Sequence, residues 1–403
     1  MSAQFHVKTV LHPEGERLPI LLDANRHPVV WINLYKIRHL RARLSSNSLV
    51  KITRILGFLW DWASRQEFSL RDRLATGNGL TQVEIEGNLY PWMRRNFRAK
   101  DTVRRLTVVP SSVEFRLDVV WDFIEWHLNG AICARPVGSR EIKDIKAKLE
   151  ACRKSFESAA CARRQSPLHA WALSEVELKR LLDICEPGSP DNCWQRACRE
   201  RNRLVIRLMA MLGLRRGELL KLRVSDCHLT RTIPEIRIER SPDDRLDPRI
   251  NEPQVKTESR QLPCDVQLAQ ELNEYICKIR RVIPGSDRTP YLFLSRSGRP
   301  MSLNRVNGIV EQVGNVNPEF SALSPHCLRS TCATRFKELG LKRGLAESEV
   351  DKDMKYFFGW RSDKSIDPYV EGSTRREAAE IGLAYQHALF ERSSRLSPCD
   401  HDE

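Results

Sequence analysis

Residues 212–219 read Leu-Gly-Leu-Arg-Arg-Gly-Glu-Leu, and they follow a stretch in which Leu204, Val205, Leu208, Met211 and Leu212 recur at helical spacing. The pattern predicts a buried helix that stops at Gly213, turns, and resumes as a second helix. Such a turn holds Arg215 at a helix start, pointed out of the fold, with Glu218 placed three residues on to hold its neighbourhood. A guanidinium in that position presents a planar fork to phosphate oxygens. Alone, the segment fits a surface arginine on an amphipathic helix better, so its meaning depends on what surrounds it.

Downstream, Ile236 and Ile238 alternate as in a strand, the polar stretch 241–254 follows, and a second strand is expected from Val255 to Pro263. The result is a small hairpin or three-stranded sheet beside helices. Lys256 then lies on a hairpin, where it can reach into a groove and supply a positive charge and a proton. Further on, Ser324-Pro325-His326-Cys327-Leu328-Arg329 carries a helix-start signal. His326 and Arg329 share a face there, at the end of a helix where anions bind. The last segment is Phe357-Phe358-Gly359-Trp360, with Tyr369 nine residues after Trp360. A tyrosine hydroxyl has a pKa of about 10 in water, so nucleophilic use of Tyr369 needs cations around the group it attacks. Each segment also has an ordinary reading, as a turn lysine, a helix-terminus histidine or a packing tyrosine.

The first half reads differently. Phe5 to Leu11 and Leu18 to Leu22 are β-like runs, so residues 1–35 are expected to form an N-terminal extension with some strand. Residues 36–165 read as helical. Leu49, Ile52, Leu56, Leu59 and Ala63 fall on one helix face, as do Val113, Leu117, Val120 and Ile124 behind a capping box of Ser111 and Glu114. Basic residues recur through this half, at Arg94, Arg95, Arg98, Lys100, Arg104 and Arg105, then Arg140, Lys143, Lys146 and Lys148. Any one cluster fits a solvated helix face; their recurrence suggests a helical DNA clamp. Residues 161–170 read as a linker. A capping box of Ser174 and Glu177 opens the second domain, which is taken as 170–403.

Composition agrees with this division. The 403 residues suffice for two cores, and a net charge of +14 suggests a polyanionic partner, nucleic acid or an anionic membrane face. No apolar run approaches the roughly 18–20 residues of a membrane span, and residues 1–20 do not read as a signal peptide. The expected location is therefore cytoplasmic and nucleoid-associated. The twelve cysteines contain no C-x-x-C pair and read as reduced structural thiols, with no metal site and no cofactor expected.

In order and spacing, the arginine of G-L-R-x-x-E, the hairpin lysine, H-x-L-R, G-W and a tyrosine nine residues on resemble the tyrosine recombinases of the phage-integrase type. Tyr291-Leu-Phe-Leu and Arg296-Ser-Gly-Arg-Pro resemble that family's middle section, and the resemblance covers most of residues 170–390. It implies a mainly α fold with a small β-sheet, a helical core-binding domain joined to a mixed α/β catalytic domain. It implies catalytic roles for Arg215, Lys256, His326, Arg329, Trp360 and Tyr369, with Glu218 supporting. It also implies double-stranded DNA as partner, a homotetramer on paired DNA sites from a monomer or dimer when free, possible accessory proteins, no membrane, and a 3′-phosphotyrosyl intermediate that needs no cofactor. The C-terminal segment 380–390 would pack on a neighbouring protomer. The chain departs from the pattern at Trp360, where many members have histidine, at Ser330, and in a long stretch at 341–355. A type IB topoisomerase-like enzyme, or a DNA-binding regulator that has lost cleavage, would share much of this sequence.

Overall fold

A computed structural model describes residues 5–96, 107–160 and 172–362. The chain divides into two compact units, Met1–Pro167 with Asp243–Arg245, and Leu168–Pro242 with Leu246–Glu403. The expected linker at 161–170, the basic residues Arg98, Lys100, Arg104 and Arg105, and the segment 380–390 lie outside the described residues.

The first unit opens with strands β1 (Phe5–Leu11) and β2 (Arg17–Asp23), paired antiparallel from Phe5↔Asp23 to Leu11↔Arg17. Helices α1 (Val30–Tyr35), α2 (Ser46–Ala63), α3 (Leu70–Thr76), α4 (Tyr90–Arg94), α5 (Pro110–Cys133) and α6 (Arg140–Ala160) follow. The hairpin is packed on α2 and not set apart: the Phe5 ring lies so close to Gly57 that a Cβ there would fall 2.3 Å from it. The Asn33 side chain of α1 serves β2 as an extra strand partner, accepting from Leu21 N–H and donating to Leu21 C=O, both at 2.9 Å. Just beyond α1, Lys36 is buried and donates to Pro19 C=O at 2.5 Å; burial lowers its pKa to about 7. The predicted apolar faces of α2 and α5 are both buried, and they meet in one core. The expected cap of α5 is not formed. Val109 is the N-cap and Pro110 the first helical residue, a place that suits a ring with fixed φ and no N–H, which moves Ser111 inside the helix.

The second unit contains α7 (Glu175–Ile184), α8 (Arg199–Met211), α9 (Arg216–Lys221), β3 (Cys227–His228), β4 (Glu235–Ile238), β5 (Arg260–Pro263), α10 (Val266–Glu274), α11 (Leu303–Val316), α12 (Pro325–Lys342) and α13 (Glu347–Phe358). The strands form an antiparallel sheet in the order β3-β4-β5. Ser174 caps α7 as expected, accepting from Glu177 N–H while the Glu177 carboxylate accepts from Ser174 N–H. Helix α12 packs on α8 and α13 on α12, around a core that includes Leu204, Leu208, Ile236, Leu262, Ile309 and Leu328. Met211 does not join the buried stripe. It ends α8 and is 44% exposed, and Met209 occupies the core.

The polar stretch 241–254 is more than a loop between strands. Asp247 and Glu252 are buried and flank the buried ammonium of Lys221, Asp247 at 3.4 Å. Arg249 pairs with Asp247 at 2.7 Å and donates to Leu220 C=O and Met301 C=O. Buried charges persist only when paired and hydrogen-bonded, so this stretch is pinned to the end of α9. At the other end of α9 a Cβ on Gly217 would fall 2.2 Å from Gln254 C=O, which leaves glycine as the residue that fits.

Candidate active site

The turn before α9 forms as the glycine suggests. Gly213 has φ +59°, and Arg215 is the N-cap of α9, its backbone N–H donating to Glu218 Oε2 at 3.0 Å. The Arg215 side chain is about one-third exposed and its guanidinium lies 3.6 Å from Glu218 Oε1. Glu218 itself is buried, and four groups converge on it. Besides Arg215, Arg260 donates to Oε2 at 3.1 Å, the Thr257 hydroxyl donates to Oε1 at 2.6 Å, and Arg329 lies 3.7 Å from Oε2. Burial alone would raise the Glu218 pKa. Arg260 and Arg329, with the Thr257 and Arg215 hydrogen bonds, outweigh it and hold the carboxyl below its ordinary value.

Arg329 enters from α12. Ser324 caps that helix by accepting from Cys327 N–H at 3.1 Å, and Pro325 occupies its first turn. This places His326 on the exposed first turn and Arg329 one turn in, where its side chain is buried. Arg329 donates to Gly213 C=O at 2.5 Å and to Phe358 C=O at 2.9 Å, so one guanidinium ties the α8–α9 turn to the end of α13. The rings of Phe358 and Trp360 stand 5.1 and 5.6 Å from it. Packing around His326, then the positive charges of Arg329 and Arg215, lower the histidine's pKa below its usual value.

Helix α13 belongs to the long stretch noted in the sequence. Buried Lys337 of α12 anchors it through Glu347 at 2.7 Å and Asp351 at 3.5 Å. It ends at Gly359, which has φ +62°, and Trp360 follows, 7% exposed and stacked on Phe358 with ring centroids 4.9 Å apart. Tyr369 lies outside the described residues.

Lys256 is exposed, as expected, but it is not on a hairpin strand. The strand begins only at Arg260, because the preceding residues spend their polar groups on other partners: the Thr257 hydroxyl on Glu218, and Glu258 N–H on Gly359 C=O at 3.2 Å. Sequence reasoning passed over Thr257 and Arg260. Both stand inside the strand expected from Val255 to Pro263, and the available signal was an arginine at the inward phase of β5, opposite buried Ile238. Among the described residues no group of three or more His, Cys, Asp or Glu side chains could hold a metal ion, and no helix is long and apolar enough to cross a membrane.

The phage integrase family profile matches residues 172–375, a span that includes the four segments and Tyr369. The chain belongs to the phage integrase family. As a phage integrase family member it is a tyrosine-type site-specific recombinase, mainly helical with small sheets. Its fold is similar to that of the XerH site-specific recombinase bound to palindromic difH substrate in a post-cleavage complex (TM-score 0.55, 18% identity, 89% of this chain and 86% of that one). It is also similar to the Tn1549 transposon integrase in complex with transposon right-end DNA (TM-score 0.50, 15% identity, 87% of this chain and 98% of that one). A comparison with curated proteins gave no match.

Proposed function

We propose that this integrase-family chain cuts and rejoins duplex DNA with Tyr369 as nucleophile and Arg215, Lys256, His326, Arg329 and Trp360 around the scissile phosphate. The observation that carries the reading is the convergence of Arg215 and Arg329, from separate helices, on the buried Glu218 carboxylate beside His326. The two guanidinium groups offset the charge that grows on the phosphate oxygens as phosphorus becomes five-coordinate. The Trp360 indole N–H and His326 add hydrogen bonds. Packing and the charges of Arg329 and Arg215 lower the His326 pKa, which favours the neutral imidazole that can take the phenolic proton. The Tyr369 oxygen then bonds to phosphorus, the bond from phosphorus to the 5′-oxygen breaks, and Lys256 gives that oxygen its proton. A 5′-hydroxyl of a partner duplex reverses the step. The phosphotyrosyl bond conserves the energy of the broken one, so no nucleotide is consumed.

The first unit is the proposed core-binding domain. Exposed Lys51 and Arg54 of α2 face a groove shared with Arg116 of α5, and Arg140, Lys143, Lys146 and Lys148 are exposed on α6. Assembly of four protomers on two DNA sites, with segment 380–390 bridging neighbours, and action within the nucleoid for a mobile element belong to the same proposal.

The test is a nicked suicide duplex built from the DNA flanking the gene, run on a denaturing gel with wild type and Tyr369→Phe. A slow-migrating covalent adduct is expected with wild type alone. Tyr369→Phe should still shift the duplex on a native gel, and an adduct formed by that variant would refute the choice of nucleophile.

A further inference from the structure

We infer that Arg260 is a positioning residue for Lys256, setting the lysine's place at the 5′-oxygen through Thr257; the inference rests on Lys256 being the proton donor proposed above. Lys256 is exposed between two buried neighbours, Val255 and Thr257. Its own side chain is therefore directed by how those neighbours are anchored. Thr257 has one hydroxyl, engaged on both sides: it donates its proton to Glu218 Oε1 at 2.6 Å and accepts from Arg260 Nη1 at 3.0 Å. Arg260 is itself fixed by two further acceptors, Glu218 Oε2 at 3.1 Å and Phe357 C=O at 2.7 Å. Its side chain is 1% exposed, and all three of its guanidinium nitrogens donate inside the fold, to Phe357, Thr257 and Glu218. One planar fork thus locks the residue after Lys256 to the carboxylate that also faces Arg215 and Arg329, and to the helix end that carries Trp360. A lysine side chain has a single ammonium on a flexible stem and cannot make the same three bonds.

The experiment separates this role from general support of the fold. Arg260→Lys keeps a cation for Glu218 but loses the fork; Thr257→Val loses only the hydroxyl link. Both variants, Lys256→Ala and wild type would be given two suicide duplexes, one ordinary and one with sulfur in place of the bridging 5′-oxygen at the cleaved phosphate. A sulfur leaving group departs as a thiolate and needs no proton. Loss of a positioned proton donor costs roughly 10²–10⁴-fold in rate. Arg260→Lys is expected to slow cleavage of the oxygen duplex by about 10²-fold, the lower end of that range, with Thr257→Val slowed less, and both are expected to match wild type on the sulfur duplex. Equal slowing on both duplexes would overturn the inference, since the defect would then lie in the phosphate clamp or the fold, and so would normal rates on both. Failure of both variants to fold, read by thermal melting, would make Arg260 a structural residue and overturn it as well. Lys256→Ala left slow on the sulfur duplex would instead refute the choice of Lys256 as proton donor, a separate failure of the underlying reading.

Discussion

At the scale of single residues, Glu218 sets the electrostatics of the site. A buried carboxylate is costly unless its charge is met, and here Arg260 and Arg329 meet it from two sides while Thr257 supplies a hydrogen bond. Removing one member of such a group leaves the others buried without their counter-charge, which costs about 3–5 kcal/mol. Glu218→Gln should lower stability by that order at pH 7, measured by urea unfolding. The pH dependence follows in sign. The carboxyl's pKa is lowered in the folded state, so its contribution is present above the unfolded-chain value and is lost as pH falls through the folded one. The gap between Glu218→Gln and wild type should therefore narrow in acid below the ordinary carboxylate pKa; a gap independent of pH would show that the charge is not what the site relies on.

At the scale of elements, the junctions between helices and turns hold Arg215, His326 and Trp360, and two glycines separate backbone conformation from packing. Gly359 and Gly344 both end helices with positive φ, at +62° and +78°. A Cβ on Gly344 meets nothing within 4 Å, whereas one on Gly359 falls 2.9 Å from Arg260 Nη1 and 2.9 Å from Thr257 Cβ. Gly344→Ala should cost about 1–2 kcal/mol for the left-handed backbone alone. Gly359→Ala should cost more in the same denaturant titration and also slow cleavage, since it presses on the residues around Lys256; equal costs would mean that the crowding relaxes freely. The same junctions explain what could be read from the sequence. The turn at Gly213, the start of α12 at Ser324-Pro325 and the capped start of α7 rest on local chemistry, and all three are legible in a few residues. The strand expected from Val255 begins only at Arg260, because Thr257 and Glu258 bond to Glu218 and Gly359, distant partners that the local pattern does not encode. Asp247 and Glu252 were likewise hidden, because their polarity suggests solvent while Lys221 and Arg249 draw them inside. The cap of α5 was misplaced by two residues because Pro110 competes with Ser111 for the helix start.

At the scale of the whole molecule, the surplus of +14 charges bears on binding more than on chemistry. Each phosphate neutralised by a lysine or arginine releases counterions, so log affinity for duplex DNA should fall linearly with log salt, with a slope of about −0.9 per contact. Arg54→Ala or Lys51→Ala in the groove of the first unit should make that slope shallower by about one each and weaken binding to different duplex sequences alike, as fluorescence anisotropy across a salt series would record. An unchanged slope would remove that groove from the DNA-binding surface. The position of Glu218 among its partners also limits how the chain can be rebuilt. Its neighbours come from residues 215, 257, 260 and 329, so a hybrid joined to a distant relative anywhere between Arg215 and Arg329 would combine halves of two separately adjusted ion clusters. A junction ahead of α7 would cross none of them. Exchange of the residues ahead of α7 is the grafting route the Glu218 cluster leaves open, with Asp243–Arg245 as the piece of the first unit that would have to be refitted to its new partner, and descent by such exchange would pass the cluster on whole.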